Sequence, residues 1–150
     1  QPVDRLLLWQ PVASGAAFLT QFLRLRVAGD MLHDEAANGG TQALRAALQT
    51  GSAIEVAGYD LSPALATAID GIEAAALTPG CPVHWFEVVA SADRPAPPAA
   101  SRIASVWREG GADVRLDVVS GQPFWQTPEI TECRQLVDAT VSVYREAVHA

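Results

Sequence analysis

The strongest constraint on this chain is a pair of strand-like runs, Pro82–Ala90 (PVHWFEVVA) and Val114–Val119 (VRLDVV), with one helical stretch between them. Both are rich in β-branched and aromatic residues, the composition of a pleated, buried segment. Strands joined by a helix pair in parallel and take helices on their faces. The connecting helix is expected from about 99 to 109. It follows a loop with Pro95, Pro97 and Pro98, which cannot donate to a ladder, and stops at Gly110-Gly111. A third run, Arg5–Val12 (RLLLWQPV), is apolar enough for a strand buried on both faces. The expected class is therefore α/β, with about three parallel strands and flanking helices.

The remaining segments read as helices and turns. A helix is expected over about 16–35, apolar around more than half its circumference, with Phe18, Phe22 and Leu25 beside Leu19, Leu23 and Met31. Asn38-Gly39-Gly40 breaks it, and Thr41 is expected to cap a short helix to about Gln49. Ser52–Tyr59 reads as a short strand or an extended loop. Ser62-Pro63 opens a helix expected to reach about Ala76, and Thr127-Pro128 repeats that signature for a last helix to about Val148. On the last helix Ile130, Cys133, Val137, Val141, Tyr144 and Val148 recur every three or four residues, which predicts an inward stripe.

Composition excludes several chemistries. The ten basic residues are all arginine, so no lysine is present for a P-loop, a Schiff base or a Ser-x-x-Lys pair. A net charge of -7 leaves no basic face for nucleic acid. From Arg5 to Arg24 the chain carries no charge, but Gln10, Pro11, Ser14, Gly15, Thr20 and Gln21 interrupt it, so no membrane span is expected. Cys81 and Cys133 lack C-x-x-C spacing and suit buried thiols in a reducing cytoplasm. No metal motif, dinucleotide fingerprint or G-x-S-x-G is present, and no cofactor is implied.

Ligands of parallel sheets bind outside the carboxyl ends of the strands, here Trp9-Gln10, Ser91–Arg94 and Gly121–Gln126. Asp93 is the carboxylate there, readable as a turn aspartate or as an acid that orients a histidine. No histidine stands on Gly121–Gln126; His33 and His149 lie near helix and chain ends, and His84, inside a strand, is expected to satisfy a local hydrogen bond. Trp9, Phe124 and Trp125, with Gln10, Gln122 and Gln126 as neutral polar contacts, are readable either as core or as the wall of a small-molecule pocket.

Leu6–Val12 (LLLWQPV), Gln21–Arg26 (QFLRLR), Glu55–Tyr59 (EVAGY), Leu61–Leu65 (LSPAL), His84–Val88 (HWFEV) and Pro123–Ile130 (PFWQTPEI) together resemble the second type of exosortase A system-associated hydrolases. These are α/β-hydrolase-like bacterial proteins linked to exosortase sorting and exopolysaccharide production. The likeness runs from about residue 3 to 147. It implies that residues 1–150 form the C-terminal half of such a domain, with 13–80 as a cap-like insertion plus a sheet helix. The nucleophile elbow would lie in an upstream half of the same protein. Asp93 would fall where the family fold carries its triad acid, and Gln122, Pro123 and Phe124 stand where the histidine loop would be.

Two functions follow: an acyl or ester hydrolase with Asp93 as the orienting acid, or a catalytically inactive hydrolase-fold protein that binds or assists. The half-fold reading also predicts that the first strand lacks a partner on its inner side, leaving an unpaired edge and an apolar face. The 150-residue chain alone should then aggregate or be marginally stable. A monomer that melts cooperatively in the ordinary mesophile range, by calorimetry, would count against it.

Overall fold

The computed structural model describes residues 3–32, 39–91, 93–123 and 131–148. In chain order the elements are β1 (Leu6–Trp9), α1 (Gly15–Leu32), α2 (Gly40–Gln49), β2 (Ile54–Val56), β3 (Tyr59–Leu61), α3 (Pro63–Asp70), β4 (Val83–Val89), α4 (Pro98–Glu109), β5 (Val114–Ser120) and α5 (Arg134–Val148). They form two units: Ser14–Glu73, and a sheet unit made of the residues up to Ala13 and from Ala74 onward.

In the sheet unit β1, β4 and β5 pair in parallel in the order β1-β4-β5. The α/β class read from the strand–helix–strand order is observed, with helices on both faces of the sheet. Register aligns Leu6, Val83 and Val114, and two residues on Leu8, Trp85 and Leu116, so these side chains share one face. Against it α4 lays Ala100, Ile103, Ala104 and Trp107. The two alanines, one helical turn apart, let the helix approach closely while Trp107 tilts onto Trp85 at 5.4 Å between ring centroids. Trp107 satisfies its indole N–H on the Ala74 carbonyl at 2.8 Å. The other face, with Leu7, Phe86, Val88 and Val119, takes Cys133, Leu136, Ala139 and Val143.

The last helix departs from expectation in two ways. Thr127 and Pro128 lie outside the described residues, but 131–133 are not helical, and α5 begins at Arg134. The Cys133 carbonyl accepts the first helical N–H groups, from Leu136 at 3.1 Å and Val137 at 3.2 Å. The inward stripe is also rotated. Leu136 is 1% exposed and Val143 is buried, whereas Val137, Val141 and Tyr144 are 48%, 39% and 58% exposed. Two apolar stripes with the same spacing compete on this helix, and periodicity cannot choose between them. The sheet chooses the one carrying Leu136, Ala139 and Val143, and Trp9 adds a hydrogen bond from its indole N–H to Thr140 Oγ1 at 2.9 Å.

The Ser14–Glu73 unit buries Leu19, Leu23, Leu48 and Ala66 of its helices against Ile54, Val56 and Leu61. Its β2 and β3 form an antiparallel hairpin, where the sequence suggested only a short strand or loop. The turn is Ala57-Gly58, both at positive φ (51° and 82°), the backbone of a type I′ turn. Alanine at the first position hides that turn from a sequence reader, because asparagine or glycine normally signals it. Ser62 caps α3 as expected, accepting from the Leu65 N–H at 3.2 Å, but the helix stops at Asp70 and not near Ala76. A separate 3-10 turn covers Ala74–Ala76. Thr41 lies inside α2, whose N-cap is Gly39 without a side-chain bond. Phe18, Leu25 and Met31 of α1 are exposed, so the burial expected for that helix is confined to the Leu19–Leu23 side. Arg45 ties the unit together, bonding Asp70 at 2.7 Å and both the Ala16 carbonyl and Thr20 Oγ1 at 2.9 Å. Glycine is required at 15, since a Cβ there would run into the Ile69 carbonyl.

The observed rotation of α5 is testable by paired truncations. Leu136→Ala should cost about 2–5 kcal/mol of stability in denaturant unfolding, while Val137→Ala should stay within about 0.5 kcal/mol. The opposite order would restore the stripe read from the sequence.

Candidate functional site at the carboxyl end of the sheet

The exits of β1, β4 and β5 lie at one end of the parallel sheet, the end at which such sheets hold ligands. At the exit of β1 the chain turns sharply at Gln10, whose φ of 44° is in the left-handed region that a non-glycine residue seldom occupies. Its backbone N–H still donates to the Phe86 carbonyl at 2.9 Å, one step further along the β1–β4 ladder. The next β4 donor, the Val88 N–H, would meet the Gln10 carbonyl if β1 continued. It is taken instead by the Gln10 side-chain oxygen at 2.8 Å. The side chain thus replaces the backbone where the strand ends.

Beneath this corner lies Glu87, a carboxyl only 3% exposed. It shares the α4 face with Trp85, two residues earlier, and that indole N–H donates to Glu87 Oε1 at 2.7 Å. The Gln10 side chain adds a weaker influence on that carboxyl. Burial pushes the Glu87 carboxyl above the usual glutamate range, and the Trp85 hydrogen bond, with the weaker influence of Gln10, opposes that shift without cancelling it. Sequence reasoning did not single out Glu87. The available signal was an acid within an otherwise apolar strand, in phase with a tryptophan.

Asp93 is four residues beyond Val89 and fully in solvent. It accepts a hydrogen bond from the Ser91 hydroxyl, and that bond, with one from its own backbone, holds its carboxyl below the usual range. This is the geometry of a turn aspartate. Gln122 lines an open depression of about 400 Å³ with Ala90, Ser120, Gly121, Pro123 and Gln135. Trp9 and Gln10 are not part of that lining: Trp9 is directed to α5 and Gln10 to β4. Phe124, Trp125 and Gln126 lie outside the described residues. Of the described residues among the six expected to line a pocket, Gln122 lines this depression, and Trp9 at the end of β1 and Gln10 just past it do not. At the depression's edge Gly121 approaches the Cys133 sulfur so closely that a Cβ would collide with it.

His84 is the second residue of β4, about 16 Å of strand from its end. It belongs to the α5 face, paired in register with Leu7 and Arg115. Contrary to expectation its Nδ1 is buried without a hydrogen-bond partner among the described residues. Burial, followed by the charges of Arg5 and Arg115, lowers its pKa below the ordinary histidine value. The sheet's own geometry thus keeps this histidine away from Asp93. His33 and His149 lie outside the described residues.

No family model, curated protein or solved structure matches the chain.

The electrostatics of Glu87 have a definite sign. A raised folded-state pKa means that the folded chain holds this proton more tightly than the unfolded chain, where glutamate titrates at about 4.3. The resulting stability is fully present below that value and is lost as pH rises through the higher folded pKa. Glu87→Gln should remove this slope, which denaturant midpoints measured across the acidic range will show.

Proposed function

We propose that this chain forms part of an α/β-hydrolase-like protein of a bacterial exosortase and exopolysaccharide system, and that it binds a small molecule or assists a partner without turnover of its own. The observation that carries this reading is the environment of Asp93: the strand-end acid is solvated and held by Ser91, and no described histidine reaches it. A nucleophilic serine needs a positioned base, and a base needs an orienting acid. The neutral lining of the nearby depression, with Ser120, Gln122 and Gln135, suits binding more than proton transfer. The resemblance carried by LLLWQPV and PFWQTPEI supports the family part of the proposal.

An upstream half of the same protein belongs to the proposal as well. It is supported by β1 standing at the edge of the sheet with leucines directed to both faces, and without the charge, proline or bulge that usually protects an edge. A cytoplasmic setting is proposed from the two free thiols, Cys81 and Cys133. Among the described residues no helix is long and apolar enough to cross a membrane.

Hydrolysis is the second reading, favoured by the position of Asp93 just past β4, where an acid could orient a base carried elsewhere. The test is treatment of the longest natural form of the protein with a serine-directed fluorophosphonate and a short acyl ester. The binding reading expects neither labelling nor turnover above background. Labelling of one serine, with turnover reduced by about 10⁴-fold in Asp93→Asn, would establish the hydrolase.

A further inference from the structure

The outward stripe of α5 and the open edge of β1 lie on the same side of the sheet unit. α5 is centred over β4: it packs on Phe86 and Val88, with Leu7 of β1 to one side and Val119 of β5 to the other. At the helical repeat, Ala139 and Ser142 flank the inward residues Leu136 and Val143 on one side, and Thr140 flanks them on the other. Ala139 and Ser142 border a small cavity with Val118 and Val119, so theirs is the β5 side. Thr140 takes the Trp9 indole N–H at 2.9 Å, so its side is that of β1. Val137, Val141 and Tyr144 continue the helix surface beyond Thr140 and are exposed. The β1 edge opens in the same direction. Leu6 and Gln10 donate their N–H groups to β4, at 2.9 Å each, so the alternate residue Leu7 turns its N–H and C=O the other way. Among the described residues no strand pairs with β1 there.

Spacing decides what fits this corner. Two copies of the chain joined edge to edge through β1 would hold their α5 helices about 14 Å apart, because each stands one and a half strand spacings from the two-fold axis. Packed helices lie about 8–10 Å apart, so both stripes would stay uncovered. Two copies joined stripe to stripe at that distance would bring their β1 strands onto the same line. A second copy therefore cannot satisfy the edge and the stripe together. A strand added beyond β1 lies about 9.6 Å from β4, so a helix centred over that strand meets α5 at packing distance.

We propose that the upstream half of the protein seats a helix against Val137, Val141 and Tyr144, carried over a strand that pairs with β1. This seat rests on the upstream half proposed above, and it fixes which face of the sheet that half covers. The incoming helix presents an apolar stripe of its own. Arg134 and Arg145 border the seat on its solvent side, with Asp138 further round, which favours an acidic rim on that helix.

The test places a photoreactive group at the seat in the longest natural form of the protein. Val141→p-benzoylphenylalanine should form an intramolecular crosslink, at unchanged monomer mass, to a peptide N-terminal to Gln1. The same replacement of Arg102, exposed on α4 at the opposite face, should not reach that peptide. Hydroxyl-radical footprinting of the unsubstituted protein keeps the test decisive if the variant misfolds. Tyr144 should lose most of its reactivity while Tyr59 in the β2–β3 hairpin keeps its own, whereas their exposures of 58% and 73% would by themselves give similar rates. A Tyr144 as reactive as Tyr59, or a crosslink between two copies, would overturn the seat and leave the upstream half standing. An intact mass with no residues before Gln1 would instead remove the upstream half itself, and the seated helix with it.

Discussion

The sheet unit depends on β4 being covered on both faces. Val83 and Trp85 build one core with α4, and Phe86 and Val88 build a second with α5. Because successive side chains of a strand point to opposite faces, a single seven-residue segment supplies the centre of both layers. β1 and β5 complete each core from either side through Leu6, Leu7 and Leu8 and through Val114, Leu116 and Val119. Loss of apolar character at any β4 position would expose a helix seat as well as a strand. The two tryptophans on the α4 side resolve their polarity locally, one on the Ala74 carbonyl and the other on Glu87.

Glu87 is the exception within that arrangement, and its position explains why the carboxyl end differs from the rest of the sheet. Towards the amino end the β4 ladder is continuous with both neighbours. At Gln10 the β1 backbone departs, and a side chain completes the pairing. Asp93, by contrast, stands in water and is stabilised by its own turn. Two acids six positions apart on one segment therefore have opposite pKa shifts, one raised by burial and the other lowered by hydrogen bonds.

The boundaries of β4, α4 and β5 were legible to within a residue or so, because proline and glycine punctuate them and β-branched residues fill the strands. The hairpin was not, since Ala57 occupies a conformation that sequence rules reserve for asparagine or glycine. The early end of α3 was missed because three alanines at 74–76 extend a helical composition past Gly71, where the backbone stops. The rotation of α5 was missed because Val137–Val141–Tyr144 and Leu136–Ala139–Val143 have equally good helical spacing; Cys133, just before the helix, is buried as expected. Asp93 was legible as a turn aspartate from its place after β4, whereas the directions of Trp9 towards α5 and of Gln10 towards β4 depend on where each side chain turns.

From the sequence alone came the class of fold: parallel strands follow from helical crossovers, and apolar composition follows from burial on two faces. The absence of lysine likewise settled which nucleophile chemistries this chain cannot perform. Only the tertiary structure decided which face of α5 is inward, that His84 sits with a buried Nδ1 away from the strand ends, and that Glu87 is buried while Asp93 is exposed. The physical reason is that local sequence determines periodicity and backbone preference, whereas desolvation is a property of the neighbours assembled around a side chain. Gln10 reaches the Val88 N–H only because register carries β1 and β4 past one another at one fixed offset.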